Sequence, residues 1–260
     1  MTRVAAVQAR VEDLDVNANL AHLRERCAGL PDDVSVALFP EHFLTGYAAD
    51  ARIEDAALDA DGRELGAVRE VATAEGQDLL VGFVERDGET LYNAAAYVTD
   101  TGTTVYRKRH LWGSERALLT PGEKRVVVET PVGRTGLLTC YDLNFVGESA
   151  AFTEERVDAL FVVGAWPAAH GSNWRLLARA RALDGVRWVV AVGRTGKRTV
   201  GDERVAYNGR SLVVNPNGRV AHALDRRPRD LVATLDPALL AEDRRAVGIF
   251  LEASESNANR

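Results

Sequence analysis

Residues 134–142 read Arg-Thr-Gly-Leu-Leu-Thr-Cys-Tyr-Asp, a short apolar strand that runs directly into a turn. The strand is predicted over Arg134–Thr139, and a helical pattern starts near Gly147. Cys140 stands at the junction. A nucleophile at a strand end projects from its sheet, and neighbouring backbone N–H groups can bind an oxyanion. The alternative is a buried core thiol, because unpaired cysteine is among the most buried residue types.

Similar apolar, β-branched runs alternate with amphipathic segments along the whole chain. The other predicted strands are Arg3–Gln8, Val34–Phe39, Leu79–Val84, Ala94–Thr99, Thr103–Tyr106, Ala159–Val163, Trp188–Val192, Ser211–Val214 and Leu231–Leu235. The predicted helices are Asn17–Leu30, Arg63–Glu75, Gly147–Glu155, Asn173–Gly185 and Pro237–Arg244. This inventory has too many strands for a simple doubly wound sheet. It predicts an α/β fold in which two mixed sheets pack face to face under helices. No linker or repeat divides the chain, so we expect one domain over residues 1–260.

Composition limits the partners and the compartment. The formal net charge of -6 argues against nucleic acid and against an anionic membrane surface. The most apolar stretch, Ala159–Ala169, is far shorter than the roughly 20 residues that span a bilayer. Residues 1–10 lack the apolar run of a secretory signal, so a cytoplasmic location is predicted. Both cysteines should then be free thiols, and Cys27 is predicted to be a core residue of its helix.

Three segments fit no regular element: Glu41–Asp61, Leu111–Glu123 and Arg194–Asn208. Each follows a predicted strand, and loops at strand ends are where sites are usually built. Glu41 comes directly after an apolar strand and Pro40, where shielding would raise its pKa enough for proton transfer. A solvated loop glutamate is the common alternative.

Lys108 follows another strand inside the basic run 107–110. Its ammonium would favour a thiolate and would stabilise charge developing on a carbonyl oxygen. A solvated basic face is the alternative. The five histidines have no spacing that marks one of them as the base for Cys140, although His42 and His110 stand beside stronger candidates.

The order of Glu, Lys and Cys at successive strand ends resembles the nitrilase superfamily of carbon–nitrogen hydrolases. The local motifs are Phe39-Pro40-Glu41 with Thr45-Gly46-Tyr47; Tyr106-Arg107-Lys108-Arg109-His110-Leu111 with Glu115 and Thr120-Pro121-Gly122; and Gly136-Leu137-Leu138-Thr139-Cys140-Tyr141-Asp142. Supporting matches extend from Val7-Gln8 to Asn215-Pro216-Asn217-Gly218. The resemblance therefore runs nearly end to end.

The resemblance implies a four-layer α-β-β-α sandwich, often paired into a homodimer. It implies Cys140 as nucleophile, Glu41 as proton carrier and Lys108 as oxyanion clamp, with the backbone N–H of Tyr141 as a further oxyanion donor. Glu115 resembles a second family glutamate that positions substrate or supports the lysine; a surface ion pair with Arg116 or Arg109 is its alternative. Tyr47, Trp112 and Trp166 either line the pocket or belong to the aromatic core.

The resemblance also implies a small-molecule amide substrate and a thioester intermediate. Tyr141-Asp142 after the cysteine is similar to amidase branches, whereas nitrilases tend to have Trp-Glu there. Nitrilase and N-carbamoyl amine hydrolase stay open as alternatives. The segment Asn144-Phe145-Val146-Gly147 departs from the usual Arg-Phe-Pro-Glu, which weakens inference of a particular substrate.

Other classes fit less well. Gly193-Arg194-Thr195-Gly196-Lys197-Arg198 faintly resembles a phosphate loop but lacks the first glycine and the final Ser or Thr. A non-catalytic binding module on the same scaffold would normally have lost one of the three residues. No His, Cys and Asp cluster has metal-ligand spacing, so neither metal nor cofactor is expected.

Overall fold

The apolar runs form strands in a computed structural model that describes residues 1–198 and 204–250. The strands are β1 (Thr2–Gln8), β2 (Val34–Leu38), β3 (Leu58–Asp59), β4 (Asp78–Asp87), β5 (Thr90–Val98), β6 (Thr103–Arg107), β7 (Val127–Thr130), β8 (Gly133–Thr139), β9 (Ala159–Gly164), β10 (Trp188–Gly193), β11 (Leu212–Val214), β12 (Val220–Ala223) and β13 (Arg229–Leu235). The helices are α1 (Val16–Ala28), α2 (Ile53–Ala56), α3 (Arg63–Glu75), α4 (Glu115–Leu118), α5 (Val146–Glu154), α6 (Gly171–Leu183) and α7 (Pro237–Val247). Short 3₁₀ helices cover Cys140–Asn144 and Ala168–His170.

The strands form two mixed sheets. The first has the order β13-β1-β2-β4-β5-β6, with β3 paired to β4. The second has the order β12-β11-β10-β9-β8-β7. In the first sheet β1, β2 and β4 are parallel neighbours, and in the second β8, β9 and β10 are. Since parallel neighbours end at the same edge of a sheet, several strand ends and their loops gather together.

Three apolar clusters stack these sheets into layers. The central cluster joins inward side chains of both sheets, for example Val36 and Leu80 with Phe161 and Val190. A second cluster packs α1 and α3 on the outer face of the first sheet. A third packs α5 and α6 on the outer face of the second. The predicted four-layer α-β-β-α sandwich of two mixed sheets is therefore confirmed. Cys27 is buried in the second cluster, as expected.

All ten predicted strands and five predicted helices are present, with ends shifted by a few residues. The sequence missed β3, β7, β12, α2 and α4. The shortest of these, β3, has two residues, too few to show alternation, and three of the four residues of β12 are exposed. Glu41–Asp61 and Leu111–Glu123 were predicted to contain no regular element. This prediction is wrong, because the single-turn helices α2 and α4 lie inside them. The third such segment extends into residues 199–203, outside the described residues.

Among the described residues, no helix combines the length and apolar character needed to cross a bilayer.

The central cluster should dominate stability. Val190 is fully buried between the sheets, and Val247 on α7 is more than half exposed. Val190→Ala should lower the free energy of unfolding by about 2–3 kcal/mol, from lost burial and a residual cavity. Val247→Ala, the same truncation on the surface, should change it by about 0.5 kcal/mol or less. Urea titrations measure both, and equal losses would contradict the assigned core.

Candidate active site

Glu41, Lys108 and Cys140 converge on one cavity, as the sequence predicted. Each follows a strand: Glu41 after β2, Lys108 after β6 and Cys140 after β8. The cavity has a volume of about 340 Å³. It is lined by Glu41, His42, Tyr47, Lys108, Trp112, Gly113, Ser114, Glu115, Cys140, Tyr141, Asn144, Ala165, Trp166, Pro167, His170, Asn173, Arg198, Val205 and Tyr207. The residues come from both sheets, so the cavity opens where the two layers meet.

The Lys108 ammonium is shared by two carboxylates. Its Nζ lies 2.8 Å from Glu41 Oε1 and 2.9 Å from Glu115 Oε2. Lys108 is only 2% exposed, so the solvated basic face is excluded. Burial alone would lower the pKa of this amine, but the Glu115 and Glu41 carboxylates raise it well above its usual value. Lys108 is therefore a permanent cation at the centre of the site.

Glu115 is buried beneath the cavity, which excludes the surface ion pair considered for it. Its carboxylate accepts hydrogen bonds from Lys108, from Asn93 Nδ2 at 2.6 Å and from the Trp112 backbone N–H at 2.8 Å. Burial would raise its pKa, yet Lys108 and the neighbouring His42 ring hold the pKa of Glu115 well below the usual range. With so many donors, Glu115 is suited to stay ionised and hold the lysine.

Glu41 also accepts hydrogen bonds from three donors, and it lies within hydrogen-bond reach of the Cys140 thiol. Its Oε1 accepts from Lys108 and from Asn93 Nδ2 at 2.8 Å, and its Oε2 accepts from the Ala165 backbone N–H at 2.6 Å. Burial raises the pKa of Glu41, as expected, but Lys108 and then His42 lower it overall, so the predicted net rise does not occur. A carboxylate beside a thiol in this state can accept the thiol proton.

Cys140 occupies a backbone turn that few residues adopt. Its φ is +50°, in the left-handed region, at the start of the 3₁₀ helix that follows β8. Such strain persists where the surrounding structure enforces it, and it is concentrated at functional sites. The turn lifts the side chain of Cys140 out of the strand alternation and into the cavity.

The Cys140 thiol is protonated at rest. Burial and then the Glu41 charge raise its pKa well above the ordinary value, although Lys108 acts in the opposite direction. Lys108 favours the thiolate, as expected, but burial and the Glu41 charge outweigh its effect on the pKa of Cys140.

Asp142 links the turn that carries Cys140 to the segment that carries Lys108. Its Oδ2 accepts from the Thr139 N–H at 3.0 Å and from the Tyr106 hydroxyl at 2.7 Å, and its Oδ1 accepts from the His110 N–H at 3.0 Å. Tyr106 and His110 stand two residues before and after Lys108. This fully buried carboxylate thus fixes Cys140 relative to Lys108.

The predicted aromatic residues all line the cavity. Tyr47 and Trp166 are also buried in apolar clusters, so lining and core roles coincide for them. Trp112 is 46% exposed and forms part of the rim. Tyr141 also lines the cavity, beside Cys140.

Several groups of the site escaped prediction from the sequence. Asn93 was not singled out, yet it donates hydrogen bonds to both Glu41 and Glu115. Its signal was a polar residue inside the apolar strand β5, where an unpaired amide would be costly. The sequence could not identify the Ala165 N–H as a donor, because every residue except proline has a backbone N–H. His170, Asn173 and Tyr207 line the far wall.

The structure also brings together one set of potential metal ligands that spacing did not reveal. Ligand atoms of Glu41, His42 and Glu115 lie within 4.8 Å of one another. The Lys108 ammonium already lies between the two carboxylates, within 2.9 Å of each. A metal ion there would be repelled by that ammonium, so the donor set suits the lysine better than a metal.

Comparisons with known proteins agree with this geometry. A family profile described as "Carbon-nitrogen hydrolase" matches residues 3–245. An (R)-stereoselective amidase from Pseudomonas sp. is 30% identical over 244 residues, covering 94% of this chain and 88% of the relative. Omega-amidase YafV from Escherichia coli K12 is 29% identical over 258 residues, covering 97% of each.

A solved structure has the same fold. XC1258 from Xanthomonas campestris is described as a CN-hydrolase superfamily protein with an arsenic adduct in the active site. It superposes with a TM-score of 0.87 at 26% identity and covers 96% of both chains.

Because the Lys108 ammonium is shared by two carboxylates, the free energy of unfolding should depend on pH in the acid range. The ordinary pKa of a glutamate is about 4.3. In the folded protein, the pKa values of Glu41 and Glu115 lie below this ordinary value. Their contribution to stability is complete above that ordinary value and is lost as the pH falls toward the folded pKa values. The free energy of unfolding should therefore decline below about pH 4.5.

Glu115→Gln removes one of the two carboxylates, so its unfolding free energy should decline less steeply with acid than that of the wild type. Urea titrations between pH 3 and 7 measure the slopes. Glu123→Gln, at an exposed position, is the matched control and should keep the wild-type slope. A Glu115→Gln slope as steep as the wild-type one would refute the assignment.

Proposed function

Because this chain belongs to the carbon–nitrogen hydrolase family, we propose that it is an amidase that cleaves a small carboxamide to an acid and ammonia. One observation carries the proposal: the Cys140 thiol lies beside the Glu41 carboxylate, which shares the Lys108 ammonium, in one cavity. A thiol, a proton acceptor and a fixed cation are the groups that acyl transfer needs.

The reaction begins with proton transfer from Cys140 to Glu41 as the sulfur attacks the amide carbon. A carbon–sulfur bond forms, and the carbonyl π electrons move to oxygen. The Lys108 ammonium and the Tyr141 backbone N–H stabilise this oxyanion; one such donor contributes about 3–4 kcal/mol. Glu41 then gives its proton to the amide nitrogen, and the carbon–nitrogen bond breaks. Ammonia is released, and the acyl group remains on Cys140 as a thioester.

Hydrolysis of the thioester reuses the same groups. Glu41 takes a proton from water while the water oxygen attacks the thioester carbon. The tetrahedral intermediate collapses, the sulfur leaves and regains a proton from Glu41, and the acid is released. Proton transfer of this kind contributes about 10²–10⁴-fold to the rate. Glu115, through its hold on Lys108, keeps the cation in place during both halves.

An amide is favoured over a nitrile. Tyr141-Asp142 follows the nucleophile as in amidase-like branches, and Asp142 is committed to hydrogen bonds with the lysine strand. Two of the relatives that cover most of this chain are an (R)-stereoselective amidase and an omega-amidase. A cavity of about 340 Å³ with aromatic walls suits a small acyl group.

Cys140→Ala should abolish turnover of amides while the protein stays folded, because it removes the nucleophile and only one buried atom, the sulfur, from the third apolar cluster. Glu41→Gln, an isosteric change, should lower kcat by about 10²–10⁴-fold. Ammonia release and calorimetry measure the two quantities. Cys27→Ala is the matched cysteine control and should hydrolyse at the wild-type rate. Wild-type hydrolysis by Cys140→Ala would rule the mechanism out.

Thiol labelling separates the enzyme from a binding module on the same scaffold. Iodoacetamide should alkylate Cys140 much faster than Cys27, because Glu41 accepts the proton of Cys140. Burial raises the pKa of Cys27 to about 12, and Cys27 does not line the active-site cavity. Mass spectrometry locates the label. Equally slow labelling of both thiols would favour the binding module.

Paired substrates decide between the amide and its alternatives. We expect ammonia release from short aliphatic amides or from omega-amides of dicarboxylates, and slower or no release from the corresponding nitriles. N-carbamoyl amines form the third arm of the panel. Turnover confined to nitriles or to N-carbamoyl amines would replace the amidase proposal with that activity.

A further inference from the structure

His42 is a buried titratable side chain to which the mechanism above gives no role. It directly follows Glu41, and its φ of +57° places the backbone in the left-handed region. In an extended strand, consecutive side chains point to opposite faces. Because of this turn, Glu41 and His42 both line the cavity. The imidazole is 3% exposed and stacks on Tyr47 with ring centroids 4.8 Å apart.

The neighbours of His42 determine which ring nitrogen carries a proton. Nε2 lies 3.4 Å from Glu115 Oε1 and 3.3 Å from Asn93 Nδ2. The Asn93 amide directs its two hydrogens to Glu41 and Glu115. A carboxylate can only accept. Nε2 therefore carries the proton and donates to Glu115, whereas Nδ1 has no hydrogen-bond partner among the described residues.

This bond joins two separate parts of the site. His42 belongs to the turn that carries Glu41, and Glu115 belongs to the single-turn helix α4 after β6. Lys108 lies between the two carboxylates and could bind either one alone. A donor fixed on the Glu41 turn limits how far Glu115 can move toward or away from Lys108.

We propose that His42 is a positioning residue for amide hydrolysis, whose Nε2–H holds Glu115 so that Lys108 stays shared between Glu115 and Glu41. The proposal rests on the proposed function for its turnover assay, but the hydrogen bond is a property of the resting site. Its effect should fall on kcat rather than on KM, because it acts on the oxyanion clamp and the base.

Side-chain length supplies the test. The amide nitrogen of glutamine is as many bonds from the backbone as Nε2 of histidine, and that of asparagine matches Nδ1. His42→Gln should therefore keep kcat for propionamide within about threefold of wild type, with the bond retained. His42→Asn and His42→Leu should lower kcat by about 10- to 100-fold, with KM within about threefold. Asparagine tolerates the left-handed backbone, so its melting temperature should stay near the wild-type value.

The rate of Cys140 alkylation by iodoacetamide provides a readout that needs no turnover, and it should follow the same order as kcat. His22→Gln, a partly buried histidine outside the cavity, is the control and should match wild type in both assays. Rescue by asparagine but not glutamine would assign the function to Nδ1 and overturn the proposal. Equal rates for all three variants would overturn it as well.

If the wild type releases no ammonia from propionamide or from any other amide of the panel, the proposed function fails. The alkylation rates still decide the role of His42 in that case. Slow alkylation in the asparagine and leucine variants with wild-type rates in the glutamine variant supports the proposal, and any other order contradicts it.

Discussion

One buried ammonium between two buried carboxylates is the constraint on which the site depends. Moving an ion from water into a protein interior costs several kcal/mol, and each of these ions is tolerated only because the others are present. Lys108 lies within 2.9 Å of Glu41 and of Glu115, and all three are at most 5% exposed. The ends of β2 and β6 and the helix α4 are therefore held together by charge as well as by packing.

Burial, and after it the charge of Glu41, raises the pKa of Cys140 and favours the thiol. The two carboxylates outweigh the single ammonium by one negative charge, and a thiolate would add a second. Transfer of the Cys140 proton to Glu41 moves this charge without increasing it. Lys108, freed from part of its attraction to Glu41, can then stabilise an oxyanion. Under the proposed mechanism, the thiolate therefore forms only as a substrate carbonyl takes up the new charge.

Apolar runs predicted the long strands and two mixed sheets, because strand patterns are local signals. The four layers and the roles expected of Glu41, Lys108 and Cys140 came from the resemblance of their motifs to the family, since position at a strand end left alternatives open for each residue. The supporting groups depend on contacts between distant segments. The Ala165 N–H meets Glu41 across 124 positions, and Asn93 meets it across 52. No periodicity reports such contacts. The burial of Glu115 was equally hidden, since its neighbours in sequence are arginine and serine.

Backbone conformation is the level that connects these observations. His42 and Cys140 follow strands of different sheets, and both have left-handed φ values at turns that direct their side chains into the cavity. The Glu41 turn reaches this shape by lying directly on Gly82 of β4, where a Cβ would come within 2.5 Å of Pro40 O and 2.6 Å of Glu41 Cα. Only glycine permits this approach, which the Leu44 N–H to Gly82 O hydrogen bond of 3.0 Å then fixes. The position of the Glu41 carboxylate therefore depends on the glycine at position 82 of the neighbouring strand as well as on its ion pair with Lys108.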